Sequence, residues 1–108
     1  DYTPGIPDFG FIVTALRSLS PDVRATVFAM HIPPFAEEFN NTTAEEFEYY
    51  ARRFPSLRFC IYGHNHRLAE DDLFGDGTIY YGVPDIGKRI YYVFTIDSEG
   101  YDVETVGF

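Results

Sequence analysis

Hydrophobic and polar positions along the chain fall into segments of two different periods. Phe9, Ile12, Val13 and Leu16 recur at i, i+3, i+4 and i+7, the spacing of one helical face. Asp8 stands where a carboxylate accepts from the unpaired amides of a first helical turn. Ser20-Pro21 stops this helix, because the residue before a proline is driven out of the α region. Ahead of it, residues 1–7, with Pro4, Gly5 and Pro7, read as a leading loop. The run Ala25 to Met30 is apolar or neutral throughout and reads as a strand buried on both faces. It ends at His31 and the rigid Ile32-Pro33-Pro34.

A second unit repeats the order. Thr43-Ala44-Glu45-Glu46 has the form of a capping box, in which hydroxyl and carboxylate satisfy unpaired amides. Phe47, Tyr50, Ala51 and Phe54 line one helical face, and Glu48 and Arg52 lie one turn apart on another. Arg52 and Arg53 suit the negative end of the helix dipole, and Pro55 ends the helix. Residues 57–62, LRFCIY, form a second strand that runs into Gly63-His64-Asn65-His66. Beyond this point the pattern becomes strand–turn–strand. Asp76-Gly77 predicts a tight hairpin between residues 67–74 and 78–83. Residues 82–87 form a loop around Pro84, and Asp97-Ser98-Glu99-Gly100 joins strands over 90–96 and 101–106. The expectation is one α/β domain over residues 1–108: two helix–strand units followed by a β-meander, in an α+β arrangement with a mixed sheet.

Composition narrows what such a domain does. Eleven Phe and nine Tyr in 108 residues supply enough apolar bulk to fold. The formal charge is −9, from 17 acidic and 8 basic side chains, which argues against generic nucleic-acid binding. No run is long and apolar enough to span a membrane, and no signal peptide is visible, which favours the cytoplasm. Two overlapping triplets from Asn40 to Thr43 match the glycosylation pattern and carry little weight on location. A single cysteine excludes an intrachain disulfide and a cysteine-rich zinc site, and Cys60 reads as a small buried hydrophobe. Glu45, Glu46 and Glu48 read as a solvated helix face, and Glu70, Asp71, Asp72 and Asp76 as solvated residues flanking a hairpin. The tyrosine pairs at 49–50, 80–81 and 91–92 read first as helix and sheet packing; adjacent tyrosines in strands point to opposite faces, leaving one of each pair available at the surface.

The three histidines carry the candidate chemistry. His31 ends the first strand; His64 and His66 follow the second. Ligands in open α/β sheets bind beyond the carboxyl ends of strands, so two parallel units would bring His31 beside the 63–66 loop. If that loop stays extended, the rings of His64 and His66 leave on one face, spaced to serve two ions.

The run from Val27 to Pro34, a hydrophobic strand ending in His-Ile-Pro-Pro, resembles the fourth block of the calcineurin-like metallophosphoesterases. The run from Cys60 to His66 resembles their last block, Gly-His-x-His. This resemblance implies a layered α/β sandwich with two divalent ions, Mn, Fe or Zn. It implies that His31 and His64 bind one ion and His66 the other, as ligands and not as acid–base groups, so that no catalytic residue lies in this chain. Substrates of the parent enzyme would be phosphorylated small molecules, nucleotides or proteins. The family's earlier blocks, Asp-x-His, Gly-Asp-x-x-Asp and Gly-Asn-His, are absent here. With Asp1 first and Met30 the sole methionine, the chain reads as the C-terminal part of a larger catalytic domain, inactive alone and without the ligands to retain its metals. Two other readings stand beside this one: a non-catalytic module of the same fold that self-associates, and a lone zinc held by His31, His64 and His66 with a water.

Overall fold

A computed structural model describes residues 5–37 and 39–108; residues 1–4 of the leading loop lie outside it. Both helix–strand units form. In α1 (Phe9–Arg17) the Asp8 carboxylate accepts from the Phe11 amide at 2.9 Å. The helix lays Phe9 and Ile12 against the core, and the Phe9 ring meets Tyr50 at 6.1 Å. It leads to strand β1 (Thr26–Met30). Helix α2 (Ala44–Ala51) then precedes β2 (Leu57–Tyr62). The capping box does not form. Thr43 makes no side-chain cap bond to α2, because its hydroxyl donates instead to the Asn40 carbonyl at 2.7 Å. A 3-10 turn over Asn41–Thr43 begins the segment, capped by Asn40, whose side chain accepts from the Thr42 amide.

The chain is α+β, with a four-stranded mixed sheet and a two-stranded antiparallel one. The larger sheet has the order β1-β2-β4-β3, where β3 is Ala69–Asp71 and β4 is Ile79–Gly82. Strands β1, β2 and β4 are parallel, and β3 is antiparallel to β4. The hairpin between β3 and β4 is wider than Asp76-Gly77 predicts. Asp72 draws the chain into a loop by accepting from the amides of Asp76 at 3.1 Å and Gly77 at 3.0 Å. Gly75 and Gly77 take the positive φ that this loop requires. The meander also divides. Strands β5 (Ile90–Ile96) and β6 (Tyr101–Gly107) pair only with each other, because a 3-10 turn at Ile86–Lys88 and the left-handed Arg89 carry β5 away from β4.

Three layers result. On one face of the large sheet Phe28, Cys60 and Tyr80 share a register row and meet α2, which buries Ala44, Phe47 and Ala51. Phe28 packs edge-on to Phe47 at 5.9 Å and Phe54 at 4.9 Å. On the other face Phe59 and Tyr81 meet the β5–β6 hairpin. Phe59 stacks on Phe94 at 4.2 Å, and the hydroxyls of Tyr81 and Tyr101 are 2.8 Å apart. Both members of the pair Tyr80–Tyr81 are therefore buried, one in each interface, whereas Tyr49 and Tyr91 lie exposed. Strand β1 is not buried on both faces. It is an edge strand, and its exposure alternates, with Val27 and Ala29 outward.

Candidate metal centre

The parallel pairing of β1 and β2 sets the site. Met30 and Tyr62 are register partners, so both chains leave the sheet at one level. The next rung is made by the site itself: the His64 amide donates to the His31 carbonyl at 2.9 Å. The two imidazoles then meet edge to face, their centroids 5.2 Å apart at 84°. Nε2 of His31 lies 3.5 Å from Nδ1 of His64.

This separation bears on whether a metal fits. Two imidazole nitrogens bound at ordinary lengths to a tetrahedral zinc sit about 3.4 Å apart. The His31–His64 pair matches that spacing. The described residues contain no group of three His, Cys, Asp or Glu side chains placed to complete a coordination sphere.

His66 is brought to the same loop but not into that pair. The segment is not extended. The His66 amide donates to the Gly63 carbonyl at 2.9 Å, closing a turn, and His66 itself takes a left-handed φ of 54°. The strict two-residue alternation of a strand is lost there, so the rings of His64 and His66 are not related as on one strand face.

The loop after His31 is held by a residue that the hydrophobic pattern does not mark. The Asn41 side chain accepts from the Phe35 amide at 2.8 Å and donates to the Ala36 carbonyl at 3.0 Å. Those two bonds support a left-handed Phe35, at φ 70°, a conformation costly for a bulky residue. The only sequence signal is the turn-forming character of the Asn40-Asn41 pair. Beside His31 lies an apolar pocket of about 230 Å³, lined by Ile6, Met30, Ile32, Phe39 and Phe47.

Cys60 adds no nucleophile. Burial pushes its thiol up to about 12, against smaller lowering by hydrogen bonds to Tyr80 and the Phe28 backbone. The thiolate is thus scarce at neutral pH, as expected for a structural cysteine. No helix among the described residues is long and apolar enough to cross a membrane. No protein-family model matches the chain, and no curated protein or solved structure matches it either.

Proposed function

We propose that this chain carries part of the metal site of a dinuclear metallophosphoesterase, a hydrolase acting on phosphoesters. In this reading His31 and His64 hold one ion through Nε2 and Nδ1, and His66 contributes to a second. When bound, such an ion pair supplies Lewis acidity and an activated water for attack on phosphorus. The chain's own residues bind and orient. The β1–β2 register fixes the spacing of the His31 and His64 rings, and the Asn41 bonds hold the loop that follows His31. The observation that carries the reading is the 3.5 Å approach of two imidazole nitrogens at the carboxyl ends of adjacent parallel strands.

Because the described residues alone do not complete a coordination sphere around His31 and His64, weak metal binding and no phosphoester turnover are the outcomes expected of this chain by itself. Calorimetric titration with zinc tests this. The expected result is weak 1:1 binding, abolished by His31→Ala and by His64→Ala, with no phosphatase activity above the metal blank. Binding indifferent to both substitutions would overturn the ligand assignment. Metal-dependent turnover by this chain, lost in His64→Ala, would overturn its inactivity.

One observation favours the second reading, a non-catalytic module that associates with another copy of itself. The unpaired side of β1 and the exposed Phe11 of α1 border an apolar trough of about 560 Å³, with Ile12, Ala15 and Leu19 on one wall. Uncharged edge strands are ready templates for pairing with a second chain. Sedimentation over a range of concentrations discriminates: a monomer at all of them removes this reading.

A further inference from the structure

We infer that the apolar pocket beside His31 is a binding site for a neutral aromatic ring, the alcohol part of the ester that the proposed function would cleave. Binding of the ring stands on the pocket's own walls; only its attachment to a phosphoryl group rests on the proposed function. Those walls are fixed parts of the fold. Phe39 and Phe47 are 6% and 5% exposed and meet edge to face, their centroids 6.3 Å apart at 81°. Met30 is the last residue of β1, and Ile32 leaves the strand just beyond His31; both pack against the buried core. Backbone contacts hold the rim. Gly5 forms a parallel bridge to Phe39, and the Asn40 amide donates to the Gly5 carbonyl at 2.7 Å. This places Ile6 among the lining residues while it remains 60% exposed, apolar surface that an apolar guest would remove from water.

Size and chemistry name the guest. The pocket holds about 230 Å³. An engineered apolar cavity of about 150 Å³ accepts benzene, so one six-membered ring fits here with room for its substituent. Among the described residues no charged side chain lines the pocket, and its one polar side chain is the His31 imidazole. A sugar or a charged head group would give up hydrogen bonds to water there without replacement. The walls also favour an aromatic guest over an aliphatic one of equal size. The two phenylalanine rings offer the edges and faces that aromatic pairs use, and the Met30 thioether is a favourable neighbour for a ring. The imidazole that lines the pocket is the one whose Nε2 lies 3.5 Å from Nδ1 of His64. A ring seated there and an ion held by the two histidines would therefore share His31 as a neighbour.

Titration of the metal-free chain in chelator with phenol, followed by NMR, tests this separately from the metal reading. Met30 is the sole methionine, so its methyl signal is unambiguous. Because Met30 also borders the larger trough beside α1, the ring protons of His31, which line only the smaller pocket, serve as the second reporter. Phenol should shift both signals saturably and show contacts to the methyls of Ile6 and Ile32 rather than to those of Ile12 and Val27. Cyclohexanol should bind about threefold or more weakly, the scale of one lost aromatic pair. Ile6→Trp, which fills the mouth, should abolish the response, and Ala15→Trp, which fills the trough, should leave it unchanged. Contacts to Ile12 and Val27 instead, or loss in Ala15→Trp alone, would put the ring in the trough and overturn the inference. So would equal binding of phenol and cyclohexanol, or His31 signals that do not move. Zinc binding through His31 and His64 without a phenol response would remove only the pocket; phenol binding without zinc binding would remove only the metal ligands.

Discussion

Gly82 shows how closely single residues are fitted around the candidate site. A Cβ there would stand 2.9 Å from the Tyr62 hydroxyl and 3.0 Å from both the Ala69 Cβ and the Arg67 carbonyl oxygen. The hydroxyl end can swing aside, but the backbone of Arg67 cannot do so without disturbing the loop that carries His64 and His66. Gly82→Ala should therefore destabilise the fold by about 1–3 kcal/mol, as overpacking does. Urea unfolding measures it, and a loss below about 0.5 kcal/mol, the level of a neutral surface change, would contradict the close packing. The sequence shows a glycine at the end of a strand, but not which chains crowd it. His66 is a similar case. Its place in Gly-His-x-His is plain from the letters, whereas its left-handed backbone depends on a turn that no periodicity reveals.

At the scale of elements, α2 and the loop between β3 and β4 are coupled through carboxyl groups. Glu48 is held above the ordinary carboxylate value, chiefly by a hydrogen bond with Asp76, with partial burial and the Asp76 charge adding to it and Arg52 opposing. A carboxyl raised in this way binds its proton more tightly in the folded chain than in the unfolded one. Its stabilising contribution is complete below the unfolded value, 4.5, and is lost as pH rises through the folded one. Glu48→Gln removes this titration. The variant should gain thermal stability relative to the parent chain on going from about pH 4 to pH 7, the range over which a raised carboxyl gives up its proton. A melting-temperature difference that stays flat across that range would refute the coupling. The helix itself was legible from Phe47, Ala51 and their spacing. Its cap was not, because Thr43 bonds backward to Asn40 and hydroxyl-to-backbone competition of this kind depends on local geometry.

For the whole molecule, Phe59 joins the layers. It stacks on Phe94 and contacts Tyr101 at 4.7 Å and Tyr81 at 5.8 Å. The Arg58 guanidinium fastens the far end of the same interface, donating to the carbonyls of Asp97 and Ser98 at 3.1 Å each. Phe59→Ala should cost about 3–5 kcal/mol, a large share of what holds a domain of this size. Hydrogen exchange should show β5 and β6 losing protection before β2 does. Simultaneous loss in all strands would mean that the hairpin is no separable layer.

The sequence by itself determined the elements, because burial of one face writes its period into the letters, and α1, α2, β1, β2 and the β5–β6 turn all follow from spacing, caps and turn residues. It also set the histidines at strand ends, since those positions are local. Tertiary structure decided what no period encodes: that β1 lies at an edge, that β4 pairs with β2 across a long connection, and that β5 leaves the sheet. Only the parallel register of β1 and β2, a contact between residues more than thirty positions apart, brings His31 and His64 within 3.5 Å while His66 turns aside.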